Sequence, residues 1–246
     1  MENRERQYTL NTSSPLAALG NIFVAPGQAY DQIREHTAWL WWPLLLVIIT
    51  SAGFMAWYMS TVDVHWMMLQ TLQHNSMVTS KLDAEQIQKL ADNATRGRGM
   101  LQGTLGVVIG IPVIYAVLAL YYFLAAKVAG YEVKGYGQWF NFTAWSNLPV
   151  IVSTLVSALA YLLRGSHQVL ATDLDMTSLN ALFFHQSIGD TWYTLLSGVR
   201  LTMFWTIGLS IFGMSRWTRR GMGNSAIVVL LPYVLFYGIW ILVKVA

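Results

Sequence analysis

The sequence predicts an all-α, polytopic membrane protein: five transmembrane helices with interfacial amphipathic helices beside them. Three observations carry this. Only 11% of the 246 residues are charged and 55% are apolar, whereas a soluble domain carries about 25% charge. The apolar residues fall in long blocks, not in the narrow stripe of an amphipathic helix. Aromatic residues crowd the block ends, as at a membrane–water interface: Trp39, Trp41 and Trp42 open the first block, and Trp57 and Tyr58 close it.

In chain order, residues 1–37 form a polar N-terminal tail ending in two short amphipathic helices. Leu16, Leu19, Ile22 and Phe23 recur at helical spacing, as do Ala29, Tyr30 and Ile33 after a break at Pro26-Gly27. Helices that simply pack on the loops fit the same spacing. Residues 38–246 form a five-span membrane domain, with spans at about 38–59, 105–129, 139–163, 191–214 and 226–245. The first run, at about 1.5 Å per residue, reaches roughly 33 Å, enough to cross. An extramembrane helical hairpin is expected at about 62–98. Trp66, Leu69 and Leu72 mark its first helix. Asp83 and Gln86 stand in capping-box positions for its second, with Leu82 and Ile87 as the staple. The Arg-Gly-Arg-Gly at 96–99 is expected to end that helix. Asp190 is placed to cap the fourth span, and Asn224 or Ser225 to open the fifth.

The third span carries Asn147-Leu148-Pro149. Proline removes a backbone donor and crowds the preceding turn, so the helix must bend or open there. The freed carbonyls need partners in hydrocarbon, and Ser146 and Asn147 can supply some. Kinks from Pro43, Pro112, Pro149 and Pro232 can widen a bundle. Asn141, Ser146, Asn147, Pro149 and Arg200 are therefore the candidate polar cleft or lipid-headgroup contacts. Arg200, near the start of the fourth run, either snorkels to the interface, pairs with Asp173 or Asp175, or holds an anionic headgroup. Helix packing is expected at small residues: Gly198, Thr202, Thr206 and Ser210 recur every four positions, with Ser153 and Ser157 in the third span and Gly106 and Gly110 in the second.

Several functions lose support. The chain has no cysteine, so disulfides, cysteine metal sites and thiol catalysis are excluded. The five histidines lie in tails and connectors with no i, i+3 or i, i+4 pair, which gives no metal-ligand pattern. No GxSxG, HExxH or P-loop occurs. Catalytic residues, cofactors and metals are accordingly not expected, and the chain is not read as an enzyme. The predicted spans contain no Asp or Glu, which argues against an ion-coupled pump. The net charge of +3 suits anionic lipid and gives no sign of nucleic acid. Arg4, Arg6, Arg34, Lys127, Lys134, Arg216, Arg219 and Arg220 fall on the side of the N-terminus, and the two short loops there carry almost no acid. The opposite side gathers most of its bases in one long loop with as many acids. This thin bias sets the N-terminus inside and the C-terminus outside.

The chain resembles the bacterial kind of Yip1-domain protein over roughly residues 16–245. The marks are ordered: Pro26 ahead of Tyr30 and Ile33; Gly130 and Gly135 leading to Trp145-Ser146-Asn147-Leu148-Pro149; Trp205, Leu209 and Gly213 closing the fourth span; and Ser225-Ala226 at the fifth. Tryptophan stands at 145 where the family has tyrosine. The resemblance implies a non-enzymatic, five-span bacterial inner-membrane protein with a cytoplasmic N-terminus and a periplasmic C-terminus. The family's eukaryotic members bind small GTPases in vesicle traffic, but this chain lacks their long acidic or proline-rich N-terminal region, so that role is not carried over. The expected partners are membrane lipids and either a second copy of the chain or another membrane protein. The role expected is organising such partners or lipids. A transporter or lipid-moving protein with a proline-kinked cleft is the alternative.

Overall fold

The computed structural model describes residues 14–131 and 135–245. The polar tail as far as Ser13, and Glu132 and Lys134 of the second connector, lie outside the described residues. The described residues form α-helices, short 3-10 and π turns and connecting loops, with no strand; an isolated antiparallel bridge joins Ser178 and Arg200. Four helical segments are long and apolar enough to cross a membrane: Thr37–Thr61, Arg96–Val128, Tyr136–Leu163 and Met222–Val245. The protein is thus a helical membrane protein. Its chain divides into two compact units, one of residues 1–46, 112–148 and 205–246, the other of residues 47–111 and 149–204.

In the first unit, Ser14 begins the Pro15–Val24 helix by accepting a hydrogen bond from the Ala17 N–H at 3.1 Å. Pro15 sits at the first helical position, where its missing N–H leaves no bond unmade. Pro26 then starts a second helix, Pro26–Glu35, directly after Ala25. Of the residues that the spacing singled out in the first helix, Ile22 is buried, beside Ala18, while Leu16 and Phe23 are exposed; in the second, Ala29, Tyr30 and Ile33 are all buried. Tyr115, Ala119, Tyr122 and Ala126 are buried along one face of the Arg96–Val128 helix, as steps of three and four dictate. Tyr122 meets Phe142 edge-on, with ring centroids 5.7 Å apart.

The second unit has its own core of Tyr58, Val62, Val64, Tyr161, Val169 and Leu174. The two tyrosine hydroxyls of this core have partners: Tyr58 donates to the Val169 carbonyl at 2.8 Å, and the Tyr161 and Thr61 hydroxyls lie 2.7 Å apart. The hairpin is present as the Val64–Gln73 and Ala84–Asp92 helices. In the capping box, the Gln86 N–H donates to Asp83 Oδ1 at 2.7 Å and the Asp83 N–H to Gln86 Oε1 at 3.0 Å.

Three local expectations are corrected. The Arg-Gly-Arg-Gly at 96–99 does not end the hairpin helix; it opens Arg96–Val128. The preceding helix has already stopped at Asn93, whose side-chain amide donates to the Lys89 carbonyl. The 33 residues of the long helix reach about 50 Å, well beyond a hydrocarbon core of about 30 Å, so its glycine-bearing first turns can stand outside the membrane. Asp190 caps a turn and not a span, accepting from the Ser187 N–H at 2.7 Å. Met222, not Asn224 or Ser225, opens the last helix.

The run expected as the fourth span is divided into Tyr193–Gly198 and Leu201–Thr218. Between them Val199 is extended, with φ −87° and ψ 119°. The backbone groups released by the break are satisfied by the connector: the Leu179 N–H donates to the Val199 carbonyl at 2.8 Å, and the Leu201 N–H to the Thr177 carbonyl at 2.9 Å. The 18 residues after the break rise about 27 Å, and Thr202, Thr206 and Ser210 lower their hydropathy.

Candidate functional site

The Pro26–Glu35 helix is fastened to two other helices of the first unit, and two of the polar residues singled out in the sequence, Asn141 and Ser146, take part. Tyr30 is fully buried. Its hydroxyl lies 2.7 Å from Ser146 Oγ, near the end of the Tyr136–Ser146 helix. Burial pushes the Tyr30 hydroxyl well above the usual tyrosine range, while the Ser146 bond pulls it down; the group is a neutral donor or acceptor at any physiological pH. A hydroxyl taken out of water without a partner costs several kcal/mol, so Ser146 decides which way Tyr30 can be buried.

The Tyr30 ring lies against Gly213. A Cβ at that position would overlap the ring, so only glycine admits a backbone approach this close. One turn on, Trp217 stands edge-on to Tyr30 with centroids 6.4 Å apart and donates its indole N–H to the Tyr30 carbonyl at 2.9 Å. Phe142 closes the cluster, 5.5 Å from Tyr30 and 5.1 Å from Trp217 between centroids. Trp139, Phe142 and Ser146 are three and four positions apart, hence on one helix face. This is why the run at 139–146 presents the Phe142 ring and the Ser146 hydroxyl to Tyr30 while Trp139 packs against Trp217.

The C-terminal end of the docked helix is held by amides. Asn141, fully buried, donates from Nδ2 to the Ile33 carbonyl at 2.8 Å and to that of His36 at 3.4 Å. Gln138 donates to the Arg34 carbonyl at 3.0 Å. Carbonyls at a helix end have no intrahelical partner, and these two side chains supply one. At the rim, Arg216 reaches both carboxylate oxygens of Asp31, at 2.7 and 2.5 Å. Both side chains of that pair are about half exposed.

The other candidates fall elsewhere. Asn147 donates its side-chain amide to the Thr143 carbonyl at 2.8 Å within its own helix end, a carbonyl that also accepts the Asn147 backbone N–H and is not one that Pro149 frees. Pro149 sits at the start of Val150–Leu163, and the helical run of the third span is interrupted at Asn147–Pro149. Arg200 belongs to the second unit. Its Nε lies 2.7 Å from Asp175 Oδ2, a charge contact without the alignment of a hydrogen bond. Asp175 is buried and also accepts from the Thr177 N–H and hydroxyl. Of the outcomes open to Arg200, pairing with a connector acid is the one present. Ser153, Ser157, Thr202, Thr206 and Ser210 are buried, and Thr154 meets Ser51 at 3.3 Å. Gly106, Gly110 and Gly198 are open: a Cβ at any of them would meet no atom within 4 Å among the described residues.

Sequence reading missed Trp217, the Asp31–Arg216 pair and Gln138. The signal for Trp217 was available, since it stands one turn after Gly213 on the same face. The pairing of Asp31 with Arg216, across 185 positions, left no local trace. Among the described residues, no group of three His, Cys, Asp or Glu stands close enough to hold a metal ion.

Taken together, apolar helices of spanning length and a buried, hydrogen-bonded dock for an N-terminal helix define a helical membrane protein that carries its own intramolecular clamp. A model of the Yip1 domain matches residues 20–243. The chain belongs to the Yip1-domain family, whose members are generally non-enzymatic membrane proteins. No curated protein and no solved structure matches it. The ordered marks of the family resemblance gain a physical meaning from the clamp: Tyr30, Ser146 and Gly213, distant in sequence, are packed together in one unit.

Proposed function

We propose that the chain is a non-catalytic, multi-pass protein of the bacterial inner membrane that organises membrane lipids or partner proteins through the helices outside its spans. Its N-terminus is cytoplasmic and its C-terminus periplasmic, and it works as an oligomer or beside another membrane protein. The observation that carries this reading is the use made of the polar residues at the third span. Asn141 and Ser146 hold the Pro26–Glu35 helix in place, Asn147 bonds within its own helix, and Arg200 is engaged by Asp175. Side chains that line a translocation path must exchange partners with a cargo; these are committed to the chain itself.

The test is reconstitution in liposomes containing a fluorescent phospholipid. The expected result is transbilayer movement no faster than in protein-free liposomes, together with self-association or a stable complex seen by single-molecule counting in the same membranes. Movement that is faster, and that slows in Asn147→Leu or Arg200→Ala, would replace this reading with lipid transport.

A further inference from the structure

The clamp brings together three arginines that the sequence scatters. Arg34, in the last turn of the docked helix, lines a cavity of about 370 Å³ with Arg219, Arg220, Thr218 and Tyr131. All of these belong to the first unit. The Arg220 guanidinium lies over the Tyr131 ring, 5.6 Å from its centroid, and is held there by cation–π attraction. Arg219 has φ +55°, a left-handed conformation that bulky side chains rarely adopt and that glycine ordinarily fills just past a helix end.

No carboxylate among the described residues pairs with these three guanidinium groups. Asp31, the acid three positions before Arg34, is taken by Arg216. Basic side chains near a helix C-terminus do complement its dipole, but that requires no enclosure and no convergence of separate segments. Three like charges around one small cavity repel one another, and a bound anion with several oxygens reverses the sign of that energy. Guanidinium groups bind phosphate oxygens two at a time, and a basic pocket between helices at the membrane surface suits a lipid headgroup.

We propose that Arg34, Arg219 and Arg220 form a binding site for a phosphate group, carried by an anionic phospholipid or free in solution. The site deepens the reading of the protein as an organiser of lipids, and rests on it only for the source of the phosphate. Because the clamp positions Arg34, the occupied site and the docked helix stabilise each other.

The experiment measures binding of phosphatidic acid to the full-length protein in neutral detergent micelles, by native mass spectrometry and by competition with inorganic phosphate. Wild type is expected to retain one phosphatidic acid per chain and to ignore phosphatidylcholine. The triple variant Arg34→Gln/Arg219→Gln/Arg220→Gln should bind about a hundredfold more weakly, from the loss of roughly one tenfold step or somewhat less per arginine. Lys81→Gln/Arg98→Gln/Arg164→Gln, which removes the same charge outside the cavity, should stay within about threefold of wild type. Displacement of the lipid by millimolar inorganic phosphate would assign recognition to the phosphate alone; lipid binding that inorganic phosphate does not displace, yet still requires the three arginines, would assign it to a lipid-borne phosphate. Should the glutamine variant fail to fold, Arg34→Lys/Arg219→Lys/Arg220→Lys keeps the charge and loses the paired donors, and should bind about tenfold more weakly. The proposal is overturned if the lysine variant matches wild type, if the control triple loses as much as the glutamine triple, or if phosphatidylcholine binds equally well. The clamp is read separately, by thermal unfolding, so failure here leaves the lipid-organising function to its own test.

Discussion

At the scale of single residues, Gly213 and Tyr30 set the strictest limits. Gly213→Ala gains helix propensity of about 1 kcal/mol, but its methyl group would overlap the Tyr30 ring, and a fully buried ring has nowhere to move. Overpacking wins: a net loss of roughly 1–3 kcal/mol is expected, read as a lower midpoint of thermal unfolding. Tyr30→Phe keeps the ring and leaves Ser146 Oγ without its partner, at about 1–2 kcal/mol. Gly106→Ala makes the contrasting case. With no atom near its added methyl, it should leave the unfolding midpoint unchanged or raise it by the propensity gain; a clear drop in the membrane-embedded protein would mean that another helix packs there. The sequence displays the same residue type at both positions. Only the neighbour, set by the fold, separates the glycine that must stay from the one that can change.

At the scale of elements, local chemistry explains the ends of helices and distant chemistry explains their interruptions. The Asp83–Gln86 capping box was legible in four consecutive residues, since everything it needs is local. Asp63 is a similar case. It caps Val64–Gln73 by accepting from the Trp66 N–H at 3.0 Å, and it also accepts from the Gln168 side chain at 2.9 Å. These bonds, the Trp66 N–H first, hold its carboxyl below the usual carboxylate range. A carboxyl lowered by folding contributes stability that is present above its ordinary value of about 3.9 and is lost as pH falls through the lower folded value. Circular dichroism followed from pH 6 downward should therefore show loss of helix below about pH 4 that Asp63→Asn, still a capping residue, does not share. Asp63→Ala should cost about 1 kcal/mol at neutral pH. The break at Val199–Arg200 had no such local signature. Its backbone partners come from Thr177 and Leu179 and its countercharge from Asp175, all in the connector before it and beyond the reach of any single helical turn. The Asp31–Arg216 pair is exposed, so Asp31→Asn should shift unfolding by less than about 1 kcal/mol, much less than Gly213→Ala, in a side-by-side melt.

At the scale of the whole molecule, topology is the open quantity, and it turns on the Leu201–Thr218 helix. Four other segments are long and apolar enough to cross. The proposed inside N-terminus and outside C-terminus require an odd number of crossings, which would make this helix the fifth. Its buried Thr202, Thr206 and Ser210 lower its hydropathy without facing lipid, which makes crossing compatible with its composition. A reporter enzyme active only outside the cytoplasm, fused after Ala246, should be active, and one fused ahead of the N-terminal tail should be silent. An inactive C-terminal fusion in a protein that is inserted and stable would show an even number of crossings.

The sequence by itself determined the membrane class, the helix interruption at Asn147–Pro149, the paired N-terminal helices and the capping box, because each follows from composition, proline chemistry or contacts within one turn. Its ordered marks also pointed to the family. What those marks are for was decided only by the tertiary structure. A tyrosine, a serine and a glycine separated by 116 and 67 positions become one packed contact, and their meeting gathers three arginines around one cavity. The reason is physical: burying a hydroxyl and fitting a ring against bare backbone depend on which surfaces fold against each other, and periodicity along a single chain carries no record of that.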